Sequence, residues 1–135
     1  MAKAGRATAA VVAGAAVWAI LWAGGTQASM AALPDILAPN QPITHTGILL
    51  GYIAYSVVLS LLAGYVTAAV AGVNPMPAVW SLAVLQLALG IFFEISYWSL
   101  MPAWYHLIFL ALLVPATVYG GTIRARRLTQ TAAAV

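Results

Sequence analysis

One glutamate and two histidines are the side chains of this sequence best suited to hold a proton or a cation: Glu94, His45 and His106. Glu94 stands in an apolar stretch, and no Lys or Arg occurs between Arg6 and Arg124. Gln86, Gly90 and Glu94 recur at every fourth position, so on a helix they share one polar stripe about 12 Å long. Glu94 and His106 lie equally far from Leu100 on either side. A chain that turns back there brings the two level. An acid and an imidazole at one depth admit three chemistries. They can lock two helices as a hydrogen-bonded or ionic pair. They can exchange protons or receive a cationic substrate, since intramembrane ionisable groups are functional candidates by default. With His45 they could bind zinc, or the two histidines could be axial haem ligands, although no helix carries a histidine pair at ligating spacing. No phosphate loop, dinucleotide glycine motif or nucleophile elbow is present. Cysteine is absent, which removes thiolate chemistry and disulfides. The serines at 56, 60, 81, 96 and 99 are expected to bond back to helix carbonyls.

The elements that must position these groups follow from composition. Of 135 residues, 64% are hydrophobic and 5% charged, with a mean hydropathy of +1.01. A soluble domain has about 25% charged residues, so this chain cannot cover a water-facing surface. It reads as an all-α integral membrane protein, which excludes a cytosolic enzyme, a nucleic-acid binder and a disordered chain. A bilayer core about 30 Å thick takes roughly 20 apolar residues per crossing. Four stretches qualify, at about 8–29, 44–71, 77–99 and 103–123. They predict a four-helix transmembrane bundle, a single domain over residues 1–135, with a loose tail from Thr129 to Val135. No segment alternates as a barrel strand would, and no internal repeat is visible.

Prolines punctuate the stretches. Leu33 to Pro42 (LPDILAPNQP) holds three and cannot continue a helix. Gly72 to Pro77 (GVNPMP) is a tight turn, and Leu100-Met101-Pro102 is another. Pro115 falls inside the fourth stretch, where a kink is expected.

Orientation follows from charge. Lys3 and Arg6 precede the first stretch, and Arg124, Arg126 and Arg127 follow the fourth. Four crossings put all five cations on one side, which is cytoplasmic by the positive-inside rule; both termini are then inside. Asp35 lies in the opposite loop. A competing reading makes the first stretch a signal peptide cleaved near Ser29-Met30-Ala31.

Small residues supply helix contact in lipid, where no hydrophobic force acts between helices. The second stretch carries Ser56, Ser60, Gly64, Ala68 and Gly72 at spacing four, with Gly47 and Gly51 as a further small pair. The stripe is expected to pack against the first or third helix, or to form a seam with a second copy or a larger membrane-protein partner. Tyr97, Trp98, Trp104 and Tyr105 crowd one boundary, and Trp80 and Tyr119 the other, as interfacial anchors. Arg124 to Arg127 can also meet anionic lipid headgroups.

The run GYVTAAVAGVNPMPAVWSLAVLQLALGI from Gly64 to Ile91, then Trp104-Tyr105-His106-Leu107 and Gly120-Gly121 before the arginines, resembles small bacterial four-helix inner-membrane proteins that have no assigned activity. The resemblance spans the second to fourth helices. It implies a bacterial inner-membrane location and a role for His106, but no substrate or cofactor. The expected function is therefore non-enzymatic: an accessory or oligomerising subunit acting through helix contacts, with the lipid bilayer as its medium and no cofactor or nucleic acid. The alternative is a small transporter or proton-coupled carrier using Glu94 and His106. A haem or metal-binding membrane protein is third.

Overall fold

The computed structural model describes residues 2–134, so the two ends of the single-domain reading, Met1 and Val135, lie outside the described residues. Four α-helices follow one another: α1 (Ala2–Ala32), α2 (Thr46–Ala71), α3 (Met76–Ser96) and α4 (Ala103–Ala134), with a 3₁₀ turn at Trp98–Leu100 before α4. Each is long and apolar enough to cross a membrane. Neighbours in sequence run antiparallel, which makes α2 and α4 parallel. These two form the most extensive contact of the bundle. One core joins all four helices, with Trp18 from α1, Leu49, Ile53, Leu59 and Ala63 from α2, Leu82 from α3, and Tyr105, Phe109 and Leu113 from α4.

The boundaries have local causes. His45 precedes α2 and its Nδ1 accepts from the Ile48 N–H at 3.3 Å, satisfying one of the free amides of the first turn. Pro77 sits at the start of α3, where its missing N–H is no loss. The Leu33–Pro42 connection is non-helical, as its prolines require, and is tied across the bundle by the Ile43 N–H donating to the Leu100 carbonyl at 2.8 Å. That bond fastens the α1–α2 loop to the turn between α3 and α4.

Three expected boundaries are corrected. α1 begins at Ala2 rather than near Thr8, because Ala, Lys and Arg are good helix formers and nothing there stops the helix. The segment from Thr129 is not loose: α4 continues to Ala134, and the Thr129 and Thr131 hydroxyls bond the carbonyls of Ala125 and Arg127 one turn back. α3 ends at Ser96, before the 3₁₀ turn takes over. α4 also runs through Pro115 as one helix.

The other end of α2 is capped by Gly72, with φ +75°, whose N–H returns to the Ala68 carbonyl. Arg6 of α1 donates from Nε to the Val70 carbonyl at 2.8 Å, placing a cation where the last carbonyls of α2 concentrate negative potential. A Cβ on Gly72 would lie 2.6 Å from the Arg6 guanidinium. Gly72→Ala therefore combines a left-handed backbone with a displaced cap. It is expected to destabilise the fold by about 2 kcal/mol, measured as a lowered midpoint of thermal unfolding in detergent.

Candidate functional site

Glu94 and His106 meet. The Gln86–Gly90–Glu94 stripe of α3 faces inward along its whole length, with Gln86 and Glu94 both buried. Antiparallel α4 presents His106 at the level of Glu94, fully buried, and the carboxylate Oε2 contacts the imidazole Nδ1. The other ring nitrogen, Nε2, lies 3.2 Å from the Trp98 carbonyl oxygen. A carbonyl can only accept, so Nε2 carries a hydrogen. The pair then shares one further proton between Nδ1 and Oε2. Placed on the histidine it makes an ion pair, and placed on the glutamate it makes a neutral hydrogen bond. Either way the net charge of the pair is zero, the state a buried site in lipid tolerates.

The 3₁₀ turn is what closes this arrangement. It carries Trp98 back over the imidazole, with ring centroids 4.5 Å apart and planes 15° from parallel. The same residue thus supplies the carbonyl for Nε2 and an aromatic lid. Tyr105, almost wholly buried, stands edge-on to the ring at 5.6 Å. By sequence both aromatics are boundary anchors, and the structure sets both against the imidazole. The missed signal was the short spacing from Trp98 to His106 across a helix-breaking Pro102.

Two turns back along α3, Gln86 accepts a hydrogen bond at Oε1 from the Thr117 hydroxyl of α4 at 2.5 Å. Gly90 lies between the two polar levels. A Cβ there would meet Leu113 at 2.8 Å and Leu110 at 3.2 Å, so packed leucine separates Gln86 from Glu94.

His45 does not join the pair. It is exposed and occupied as the cap of α2. Among the described residues no three His, Asp or Glu side chains converge as a metal set, so the zinc trio of His45, Glu94 and His106 is not assembled.

The small residues of α2 divide into two groups. Ser56, Ser60, Gly64 and Ala68 are buried, and Gly64 faces α4 rather than the expected α1 or α3: the Thr117 carbonyl is its nearest neighbour and the Gly121 N–H lies close by. Gly72 is the cap described above. Gly47 and Gly51 are exposed, with open space around Gly51 and the capping His45 ring beside Gly47, so neither packs against another helix of the chain. Four glycines outside the expected set make close contacts instead, among them Gly25 of α1, which abuts the Tyr55 ring. Gly14 of α1 abuts Thr67, Leu82 and the Ala63 carbonyl; Gly120 of α4 abuts the Leu61 carbonyl; Gly121 abuts Val79.

The cations gather at the end of the bundle opposite Glu94. Arg124 and Arg127 stand over the Tyr65 ring at 5.8 and 6.0 Å, a cation–π arrangement. A surface cleft of about 370 Å³ at this end is lined by Met76, Thr122, Arg126 and Gln130. No known protein family matches the chain, and no curated protein or solved structure matches it either.

Proposed function

We propose that this chain is a multi-pass protein of a bacterial inner membrane, with both termini cytoplasmic, that acts without enzymatic chemistry as an accessory or self-associating subunit. Membrane insertion is supported by four apolar helices. Orientation is supported by the placement of Lys3, Arg6 and the Arg124–Arg127 run at one end of the bundle, with Asp35 in a loop at the other.

The observation that carries the subunit reading is the outward face of α2. Gly47, Gly51 and Ala54 are all exposed, and Gly47-Ile48-Leu49-Leu50-Gly51 has the small-xxx-small spacing that lets a second membrane helix approach closely. The rest of the small-residue stripe is already consumed inside the protomer. Gly51→Leu tests the reading cleanly, because Gly51 is exposed and a Cβ there meets nothing within the chain. In mild detergent the wild-type chain is expected to run above its 14.1 kDa protein mass, as a homo-oligomer or with a co-purifying membrane partner. Gly51→Leu should reduce it to a folded monomer. A wild-type monomer with no partner overturns the proposal.

A second reading has its own observation. Glu94 and His106 form a buried one-proton pair, which suits a proton-coupled carrier. Both ring nitrogens are held by the chain itself and Leu110 and Leu113 close the way toward Gln86. That closure favours a clasp between α3 and α4 over a conducting site.

A further inference from the structure

Five buried side-chain polar atoms among the described residues have no partner in the chain. Thr67 Oγ1 and Arg124 Nε lie toward the cationic end, and the other three stand on three helices: Trp18 Nε1 on α1, Ser60 Oγ on α2 and Gln86 Nε2 on α3. The residues bearing these three are at most 5% exposed. They stand at one level. Gly14 abuts both Leu82 and the Ala63–Thr67 turn; one helical turn on from those contacts lie Trp18 on α1, Gln86 on the parallel α3 and Ser60 on the antiparallel α2. α4 reaches the same level with Thr117, which donates to Gln86 Oε1. Each helix therefore contributes one polar side chain to a layer that lies between the Glu94–His106 pair and the buried Thr67.

Their hydrogen-bonding capacities complement one another. The indole N–H is only a donor, and the free amide N–H of Gln86 is another. Ser60 Oγ can accept, and so can Thr117 Oγ, whose own hydrogen is committed to Gln86 Oε1. Two donors and two acceptors are what a single water molecule satisfies. We propose that Trp18, Ser60, Gln86 and Thr117 bind a structural water in the middle of the bundle. The water accepts from Trp18 and Gln86 and donates to Ser60 and Thr117, joining all four helices through one molecule. Buried waters characteristically make about three such bonds to groups that would otherwise be orphaned. This site is independent of the Glu94–His106 pair, from which it is separated by about 12 Å along α3 and by the leucines at Gly90.

The test uses the full-length ¹⁵N-labelled chain in detergent micelles, with the Trp18 indole resonance assigned by Trp18→Phe. Water-selective NOE spectra are expected to show cross-peaks from a long-lived water to the Trp18 indole N–H and to the Gln86 side-chain amide. Ser60→Val, which fills the acceptor position with a methyl group, should remove both while the backbone amide spectrum stays folded. A slowly exchanging Trp18 indole with no water cross-peak in the wild-type chain overturns the proposal, and that arm needs no variant. A Trp18 indole cross-peak that persists unchanged in Ser60→Ala and in Gln86→Met also overturns it, because the water then sits elsewhere.

Discussion

His106→Ala is expected to lower the stability of the folded chain by about 3–5 kcal/mol, the range found when one member of a buried pair is removed. Three contacts go at once: the bond to Glu94, the bond from Nε2 to the Trp98 carbonyl, and the stack under the Trp98 ring. The variant leaves Glu94 buried with its partner gone, and the turn that closes α3 against α4 loses its anchor. Glu94→Gln should behave differently. A glutamine amide can donate to Nδ1 of a neutral imidazole while Nε2 still donates to Trp98, so the geometry survives and the loss stays below about 1.5 kcal/mol. Chemical or thermal unfolding in detergent, followed by helical circular dichroism, measures both. Equally small losses from Glu94→Gln and Glu94→Ala would show that the bond contributes nothing and sink the clasp. The same substitution separates the two functional readings. A clasp tolerates Glu94→Gln in stability and in assembly. A proton-coupled carrier reconstituted in liposomes would lose its pH-dependent flux with the fold intact, because the titratable proton is gone.

The pairing of Glu94 with His106 was legible because it depends on topology alone. Two residues equidistant from a proline-marked turn in an antiparallel hairpin share a level, whatever the side chains do. The inward direction of Gln86, Gly90 and Glu94 was legible for a similar reason, since spacing four keeps them within a narrow arc of one helix. What lay outside the sequence signal was rotation between helices. Gly47 and Gly51 share the spacing of the α2 stripe, but the five-residue step from Gly51 to Ser56 turns about 140° at 3.6 residues per turn. They therefore look outward where Ser56, Ser60, Gly64 and Ala68 look inward. His45 failed to join the pair because the first free amides of α2 claim its ring nitrogen locally. Thr117, by contrast, follows the same rule of spacing as a partner for Gln86: it stands eleven residues after His106, about 20° round the helix at 3.6 residues per turn, and so shares the face that meets the Gln86–Glu94 stripe.

The partner of the α2 stripe was hidden, and it is the point on which the bundle depends most. Gly64→Val and Gly120→Val are each expected to destabilise the fold by about 3 kcal/mol or more, at the upper end of overpacking. The reason is what a side chain would strike. At Gly64 the obstacle is the Thr117 carbonyl, and at Gly120 it is the Leu61 carbonyl. Neither is the mobile end of a side chain that could swing aside. The two glycines lie on parallel helices at one level, each receiving the other's backbone, so a Cβ at either position must push α2 and α4 apart along their shared seam. Separation would also pull Thr117 from Gln86 and open the core at Leu59 and Leu113. Gly51→Leu is the matched control: it adds more bulk to the same helix, but into open space, and should change stability by less than about 0.5 kcal/mol. Unfolding midpoints of the three variants in one detergent decide the matter. If Gly64→Val costs no more than Gly51→Leu, α2 and α4 do not meet at this seam, and the close contact of glycine with facing carbonyl is not what holds the parallel pair. A large loss confined to Gly64→Val and Gly120→Val would place the stripe's role inside the protomer, leaving Gly47 and Gly51 as the small residues of α2 free to meet another helix.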